Sequence, residues 1–137
     1  MRQINYIIIH CSATKAGRDF HAKDIDKWHR ERGFDEIGYN AVVDLDGTVE
    51  PGRSEAKPGA HCKGHNSDSI GICYIGGLDE DGKPADTRTE LQKAALAELV
   101  ASYKRRFPNA KVVGHRDMPN VHKACPCFDA KEEYKNI

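Results

Sequence analysis

The chain has 137 residues, the usual size of one compact domain with a single hydrophobic core. Its 21 basic residues balance its 21 acidic residues, so no net charge favours nucleic acid or an anionic membrane as a partner. No apolar run approaches the roughly 20 residues of a membrane-spanning helix, and no signal peptide pattern is visible. We therefore expect a monomer with one domain over residues 1–137, made in the cytoplasm, with no nucleic-acid or membrane partner.

The N-terminal part of the sequence predicts a buried strand, a helix and a hairpin. "INYIIIHCS" (4–12) is continuous and β-branched, which indicates a strand buried on both faces, with His10 near its end. Residues 23–33 have helical spacing and a terminal glycine. "YNAVVDLDGTVEPGR" (39–53) has the Asp-Gly turn and flanking strands of a hairpin.

The C-terminal part predicts another strand at 69–77 and then the longest helix. That helix should begin at Thr89, whose spacing to Gln92 is that of a capping box. Its apolar stripe is expected to include Leu91, Ala95, Leu99 and Tyr103, widened by Leu96 and Val100.

The last elements complete the predicted domain. Pro108 should end the long helix, "KVVGH" (111–115) should form a strand, and a short helix should follow from Asp129. Helical and strand patterns alternate without repeats or linkers. We expect an α/β fold with a mixed central sheet of about five strands, flanked by helices.

Two histidines and a cysteine are candidate metal ligands. His10 and His115 each end a predicted strand, and ligand sites in α/β domains tend to lie beyond such ends. Cys125 follows His115 by ten residues, close enough for the loop to fold back. Three protein ligands with an open fourth position are typical of one catalytic zinc ion, whereas the paired CxxC spacing of a structural zinc site is missing.

The segment "NVHKACPCFD" (120–129) offers more than one ligand. Pro126 favours an extended conformation at Cys125, so Lys123 and Cys125 should project to one side and His122 to the other. In an extended segment Cys127 would share the side of Cys125, so this geometry leaves both cysteines as candidates.

Lys123 and Tyr39 are candidates for stabilising an oxyanion, which hydrolysis of a carbonyl compound requires. Lys123 is a cation two residues from a proposed ligand, and Tyr39 offers a phenolic donor at the start of the hairpin. A cysteine peptidase that uses Cys11 or Cys62 is the rival enzyme class. Cys11 directly follows His10 in a strand, so the two side chains should point to opposite faces, which disfavours that pair.

Five blocks in order along the chain resemble the zinc-dependent N-acetylmuramoyl-L-alanine amidases, and within them the type 2 amidases related to phage lysozyme-like endolysins and to peptidoglycan recognition proteins. They are "IIIHCSAT" (7–14), "GYNAVVDLDGTVEPGR" (38–53), "GAHCKGHNSDSIGICYIGG" (59–77), "GHRD" (114–117) and "KACPCFD" (123–129).

The resemblance implies roles for seven residues. It implies that zinc is bound by His10, His115 and Cys125. The resemblance thus identifies Cys125, and not Cys127, as the cysteine ligand. It also implies that Tyr39 and Lys123 are catalytic. It places His61 and Asn66 near the substrate. Cys127 stands where phage-type members often have serine, so its role is open.

The function implied is hydrolysis of the amide between N-acetylmuramic acid and L-alanine in peptidoglycan, on a wall reached after release or export. The alternative is a non-catalytic module that binds peptidoglycan, as recognition proteins without a full zinc set do.

Overall fold

The computed structural model describes residues 2–137, which contain seven β-strands and three α-helices. The strands are β1 (Tyr6–Cys11), β2 (Thr14–Lys15), β3 (Ala41–Val43), β4 (Val49–Pro51), β5 (Ser69–Tyr74), β6 (Gly77–Leu78) and β7 (Lys111–Gly114). The helices are α1 (Ala22–Glu31), α2 (Glu90–Arg106) and α3 (Ala130–Glu133). None of the helices in this part of the chain combines the length and the apolar character needed to cross a bilayer.

Five of the strands form one mixed sheet, in the order β4-β3-β5-β1-β7, which confirms the predicted α/β architecture. β1 is parallel to both of its neighbours, β5 and β7, and only the β3–β4 hairpin is antiparallel. β2 and β6 pair separately, and these two-residue strands were too short to be predicted. Because β1 has neighbours on both sides, its run of isoleucines is fully buried.

The two faces of the sheet are covered by different helices. Ile7 and Ile9 pack with Leu96 of α2, whereas on the other face Cys73 packs with Ile25 of α1. Side chains alternate along a strand, so His10 projects to the face opposite Ile9, the face that carries α1. This alternation places the imidazole between the sheet and the loops that cover it.

Helix α2 begins at the predicted capping box. The Thr89 hydroxyl accepts from the Gln92 N–H at 3.0 Å, and the Gln92 side chain accepts from the Thr89 N–H at 2.9 Å. The predicted apolar stripe was wrong at Leu91, which is 60% exposed. The buried face instead includes Gln92, whose amide donates to the carbonyls of Val43 and Ile75. These bonds hold Gln92 against β3 and the residue after β5, and the adjacent Leu91 faces solvent.

Candidate active site

His10 lies near the end of the central strand and is almost completely buried, with 1% exposure. Its ring centroid is 4.4 Å from that of His115 and 4.9 Å from that of Tyr39. The central strand therefore places the His10 imidazole next to the side chains of His115 and Tyr39.

The neighbouring strand β7 delivers His115. Ile9 of β1 is opposite Gly114, so His10 and His115 follow equivalent positions of two parallel strands. His115 was expected to end the strand, but it begins a 3-10 turn, His115–Asp117. A β-carbon at Gly114 would lie 2.7 Å from the Pro126 ring, so glycine is required for the loop that carries Cys125 to approach this closely.

Backbone hydrogen bonds hold Cys125 beside the two histidines. Its carbonyl accepts from the Arg116 N–H at 2.8 Å, and its sulfur accepts from the Cys11 N–H at 3.2 Å. The same sulfur lies 3.9 Å from Nδ1 of His10. The loop is thus tied to the turn after β7 and to the end of β1, and the thiol is directed at the histidine pair.

The three side chains form a group whose chemistry fits zinc. One donor atom from each of His10, His115 and Cys125 lies within 4.8 Å of the others. Imidazole and thiolate are ligands that zinc prefers, and the N–H that Cys11 donates to the sulfur suits a thiolate. Three such donors are the protein contribution to a catalytic zinc site rather than a closed structural one.

The structure distinguishes Cys125 from Cys127, which the sequence geometry left equal. Cys127 has a φ of 69°, so the segment is not extended there, and the expectation that the two thiols share a side was wrong. The Cys127 thiol donates to the Gly77 carbonyl at 3.2 Å and lies 3.9 Å from the Cys11 sulfur. It therefore packs away from the histidines. His122 is exposed and lies outside the ligand group.

Tyr39 lies half-buried between two histidine rings, with centroid distances of 4.9 Å to His10 and 5.4 Å to His29. Burial raises the pKa of its phenol well above the usual value. The hydroxyl therefore stays protonated at neutral pH and can donate a hydrogen bond.

Lys123 is exposed, at the rim of the same group. The pKa of His115 is lowered by burial and then by the charge of Lys123, and the same charge contributes to the lowered pKa of His10 after burial and two neighbouring histidines. The charge of the Lys123 ammonium therefore acts on both imidazoles, and a catalytic role for Lys123 stays a prediction.

His61 and Asn66, expected near the substrate, make contacts within the protein. Nδ1 of His61 lies 2.8 Å from Nε2 of His10, and Nε2 of His61 lies 3.2 Å from the Ser69 hydroxyl. The Asn66 side-chain oxygen accepts from the N–H groups of His61 and Cys62. Substrate binding by these two residues stays a prediction. The Asn66 contacts hold the backbone of the loop that contains His61, and the His61 contacts hold its ring beside His10.

A cleft of about 110 Å³ opens beside Tyr39 and includes side chains that the sequence analysis did not assign to the site. Ser12, Trp28 and Arg32 line it. The helical spacing of Trp28 and Arg32 indicates only that they share one face of a helix. The sequence does not show that this face lies next to Tyr39, so the two residues could not be assigned to the site. Tyr39 thus forms one wall of this cleft.

Neither Cys11 nor Cys62 has the surroundings of a catalytic nucleophile. The Cys11 side chain packs on the α2 face, as expected, and the pKa of its thiol is raised by its contact with Cys125 and by burial. Burial also raises the pKa of the Cys62 thiol. Within residues 2–137, neither thiol forms a hydrogen bond with a histidine ring, so the structure provides no thiol–base pair at these positions.

A second group of ionisable side chains joins the N-terminus of α1 to the hairpin. Nδ1 of His21 lies 3.2 Å from Asp44 and 3.5 Å from Glu50. The hydrogen bond with Asp44 raises the pKa of His21, and burial raises the pKa of Asp44 to about 6. A protonated His21 thus neutralises carboxylates here, and the Glu50 carboxylate also accepts from the first N–H of the helix.

Because His29 is buried and its pKa is lowered, we predict that acid destabilises the fold. Its Nδ1 accepts from the Gly38 N–H at 2.9 Å, and burial followed by Arg32 and Arg53 lowers its pKa. Below about pH 6.5 the unfolded chain takes up a proton that the folded ring resists, so the free energy of unfolding should fall as pH decreases.

The measurement is urea unfolding at about pH 7.5 and about pH 5.5, with the same zinc content in all samples. His29→Asn retains a nearby acceptor without titrating, so its free energy of unfolding should fall less than that of the wild type. His122→Asn, an exposed histidine, is the control and should behave as the wild type. An equal fall in all three proteins would contradict the prediction.

The chain is similar to known proteins over most of its length. A profile of the family described as N-acetylmuramoyl-L-alanine amidase matches residues 1–128. The endolysin of Klebsiella phage KP32 is 41% identical over 130 residues, 95% of this chain and 85% of that protein. The endolysin of Escherichia phage T7 is 39% identical over 125 residues, 91% and 82% of the two chains.

A solved structure shows the same architecture. The N-acetylmuramoyl-L-alanine amidase LysC from Clostridium intestinale URNW superposes with a TM-score of 0.81 at 27% identity. The superposition covers 98% of this chain and 84% of that chain. The similarity therefore extends over nearly the whole fold described above.

Proposed function

The chain belongs to the N-acetylmuramoyl-L-alanine amidase family, and from that premise we propose that it performs its reaction with one zinc ion held by His10, His115 and Cys125. The activity of the family is hydrolysis of the amide between N-acetylmuramic acid and L-alanine in peptidoglycan, and this chain is such a hydrolase. The observation that carries the zinc proposal is the convergence of two imidazoles and a thiol from three separate segments.

Zinc, when bound, supplies a Lewis acid that polarises a carbonyl and lowers the pKa of water. The chain supplies the hydrogen-bond donors. Tyr39, protonated because of its burial, and the Lys123 ammonium would donate to the oxyanion that develops as water adds to the amide carbon. One of these donors would also pass a proton to the departing L-alanine nitrogen as the carbon–nitrogen bond breaks, and the proton released by the attacking water would replace it.

The cleft beside Tyr39 would receive part of the muramyl peptide, the partner that the family implies. A non-catalytic module would not need the three ligands together with the tyrosine and the lysine, so the alternative of a binding module loses its support. The expectations of a monomer, of one domain and of cytoplasmic synthesis before release or export stay predictions.

Digestion of purified peptidoglycan tests the zinc proposal. We expect mass spectrometry to show new L-alanine amines and intact muramic acid, because only the amide is cleaved. A chelator should abolish this release, and added zinc should restore it. Undiminished cleavage by protein that elemental analysis shows to be metal-free would reject the zinc proposal, while the absence of cleavage with zinc present would favour a binding module.

A further inference from the structure

A series of hydrogen bonds connects Nε2 of His10 to the backbone carbonyl of His65. Nε2 of His10 lies 2.8 Å from Nδ1 of His61, and Nε2 of His61 lies 3.2 Å from the Ser69 hydroxyl. That hydroxyl donates to the His65 carbonyl at 2.6 Å. The nitrogen of His10 that points the other way, Nδ1, is the one near the Cys125 sulfur.

The carbonyl at the end of this series of hydrogen bonds determines which ring nitrogen of His61 and of His10 carries the proton. A carbonyl can only accept, so the Ser69 hydroxyl uses its single proton there and must accept from Nε2–H of His61. A neutral imidazole carries one N–H, so Nδ1 of His61 is a bare acceptor. Nε2 of His10 must then carry the proton and donate it, which leaves Nδ1 of His10 with a free lone pair.

The surrounding loop is built to hold the His61 ring in this orientation. The backbone N–H of His61 donates to the Asn66 side-chain oxygen at 2.8 Å. A β-carbon at Gly71 would lie 2.6 Å from the ring, and one at Gly59 would lie 2.7 Å from it, so only glycine leaves room on these sides. With both ring nitrogens engaged and the ring enclosed, His61 is placed to orient a neighbour.

We propose that His61 is the positioning residue of the metal centre: it holds the His10 ring and assigns Nδ1 as the nitrogen that binds zinc. The inference rests on the proposed zinc site and adds a role for a residue that is not a ligand. Such outer-shell partners orient the ligand histidine and increase its basicity, and their loss typically lowers metal affinity by about 10- to 100-fold.

The first test reads the tautomers of His10 and His61 directly, by ¹H–¹⁵N correlation spectra of their ring nitrogens. In the zinc-loaded wild-type protein both rings should carry the proton on Nε2, and after chelation both should keep it there, since the hydrogen-bond chain is independent of the metal. A proton on Nδ1 of His10 would overturn the inference. This test needs no variant, so it stands even if a substitution at His61 prevents folding.

The second test compares zinc dissociation constants by competition with a chromophoric chelator. His61→Ala should bind zinc about 10- to 100-fold more weakly than the wild type. His61→Asn, which offers an amide oxygen near the position of Nδ1, should recover most of the affinity. His65→Ala, which removes a histidine from the same loop but leaves the backbone carbonyl, is the matched control and should bind as the wild type.

The outcomes separate the two proposals. If the wild-type protein itself binds no zinc, the proposed zinc site fails. If the wild type binds one zinc ion and a folded His61→Ala binds it equally well, the zinc site stands and the positioning role of His61 is rejected. Equal losses in His61→Ala and His61→Asn would also reject it, because a specific acceptor would then not matter.

Discussion

Replacement of Cys125 with alanine is expected to produce a folded protein that contains no zinc after dialysis and has no measurable amidase activity. The residue supplies one of three donors, and loss of a ligand should cost more than the roughly 10- to 100-fold in affinity that loss of an outer-shell partner costs. The side chain is only partly buried at the edge of the core, so the fold should persist. Elemental analysis and circular dichroism would measure both properties.

Cys127→Ala is the matched control for this experiment. It removes an identical thiol two residues away, but that thiol contacts the Gly77 carbonyl and Cys11 instead of the histidines. We expect it to retain one zinc ion and its activity. A full zinc content in Cys125→Ala would remove Cys125 from the ligand set, and zinc loss in both variants would show that the loop, rather than the ligand, had been disturbed.

Lys123→Ala is expected to retain zinc and stability but to lower kcat about 100- to 1000-fold. The ammonium would act on charge that develops in the transition state, and removal of one such donor typically costs about 3 to 4 kcal/mol. Because Lys123 is exposed and contributes no ligand atom, its loss should leave the melting temperature and the zinc content unchanged. Rates of peptidoglycan digestion at saturating substrate would measure the effect.

Lys131→Ala controls for the loss of a positive charge, since Lys131 is an exposed residue of α3. Its turnover should match that of the wild type. Turnover in Lys123→Ala at the wild-type rate would exclude Lys123 from the mechanism. A loss of zinc in the same variant would show instead that the lysine supports the metal site.

Much of the fold could be predicted because its signals are local. The β-branched run of β1, the Asp-Gly turn of the hairpin and the capping box at Thr89 each depend on residues a few positions apart. Leu91 shows where such reasoning ends. Its spacing suited the apolar stripe, but Gln92 occupies the buried face and bonds two distant carbonyls, so the adjacent Leu91 lies in solvent.

The sequence by itself determined the residue types of the site and the order of its blocks. Two strand-associated histidines and a following cysteine indicated zinc chemistry, and the resemblance implied which cysteine is the ligand and that Tyr39 and Lys123 are catalytic.

Only the tertiary structure decided how these side chains are oriented. The positive φ at Cys127 turns that thiol away, and the chain of contacts from His10 through His61 to Ser69 joins residues up to 59 positions apart. The reason is physical: residue type and periodicity are local properties, whereas the direction of a loop side chain and its hydrogen-bond partner depend on packing between distant segments.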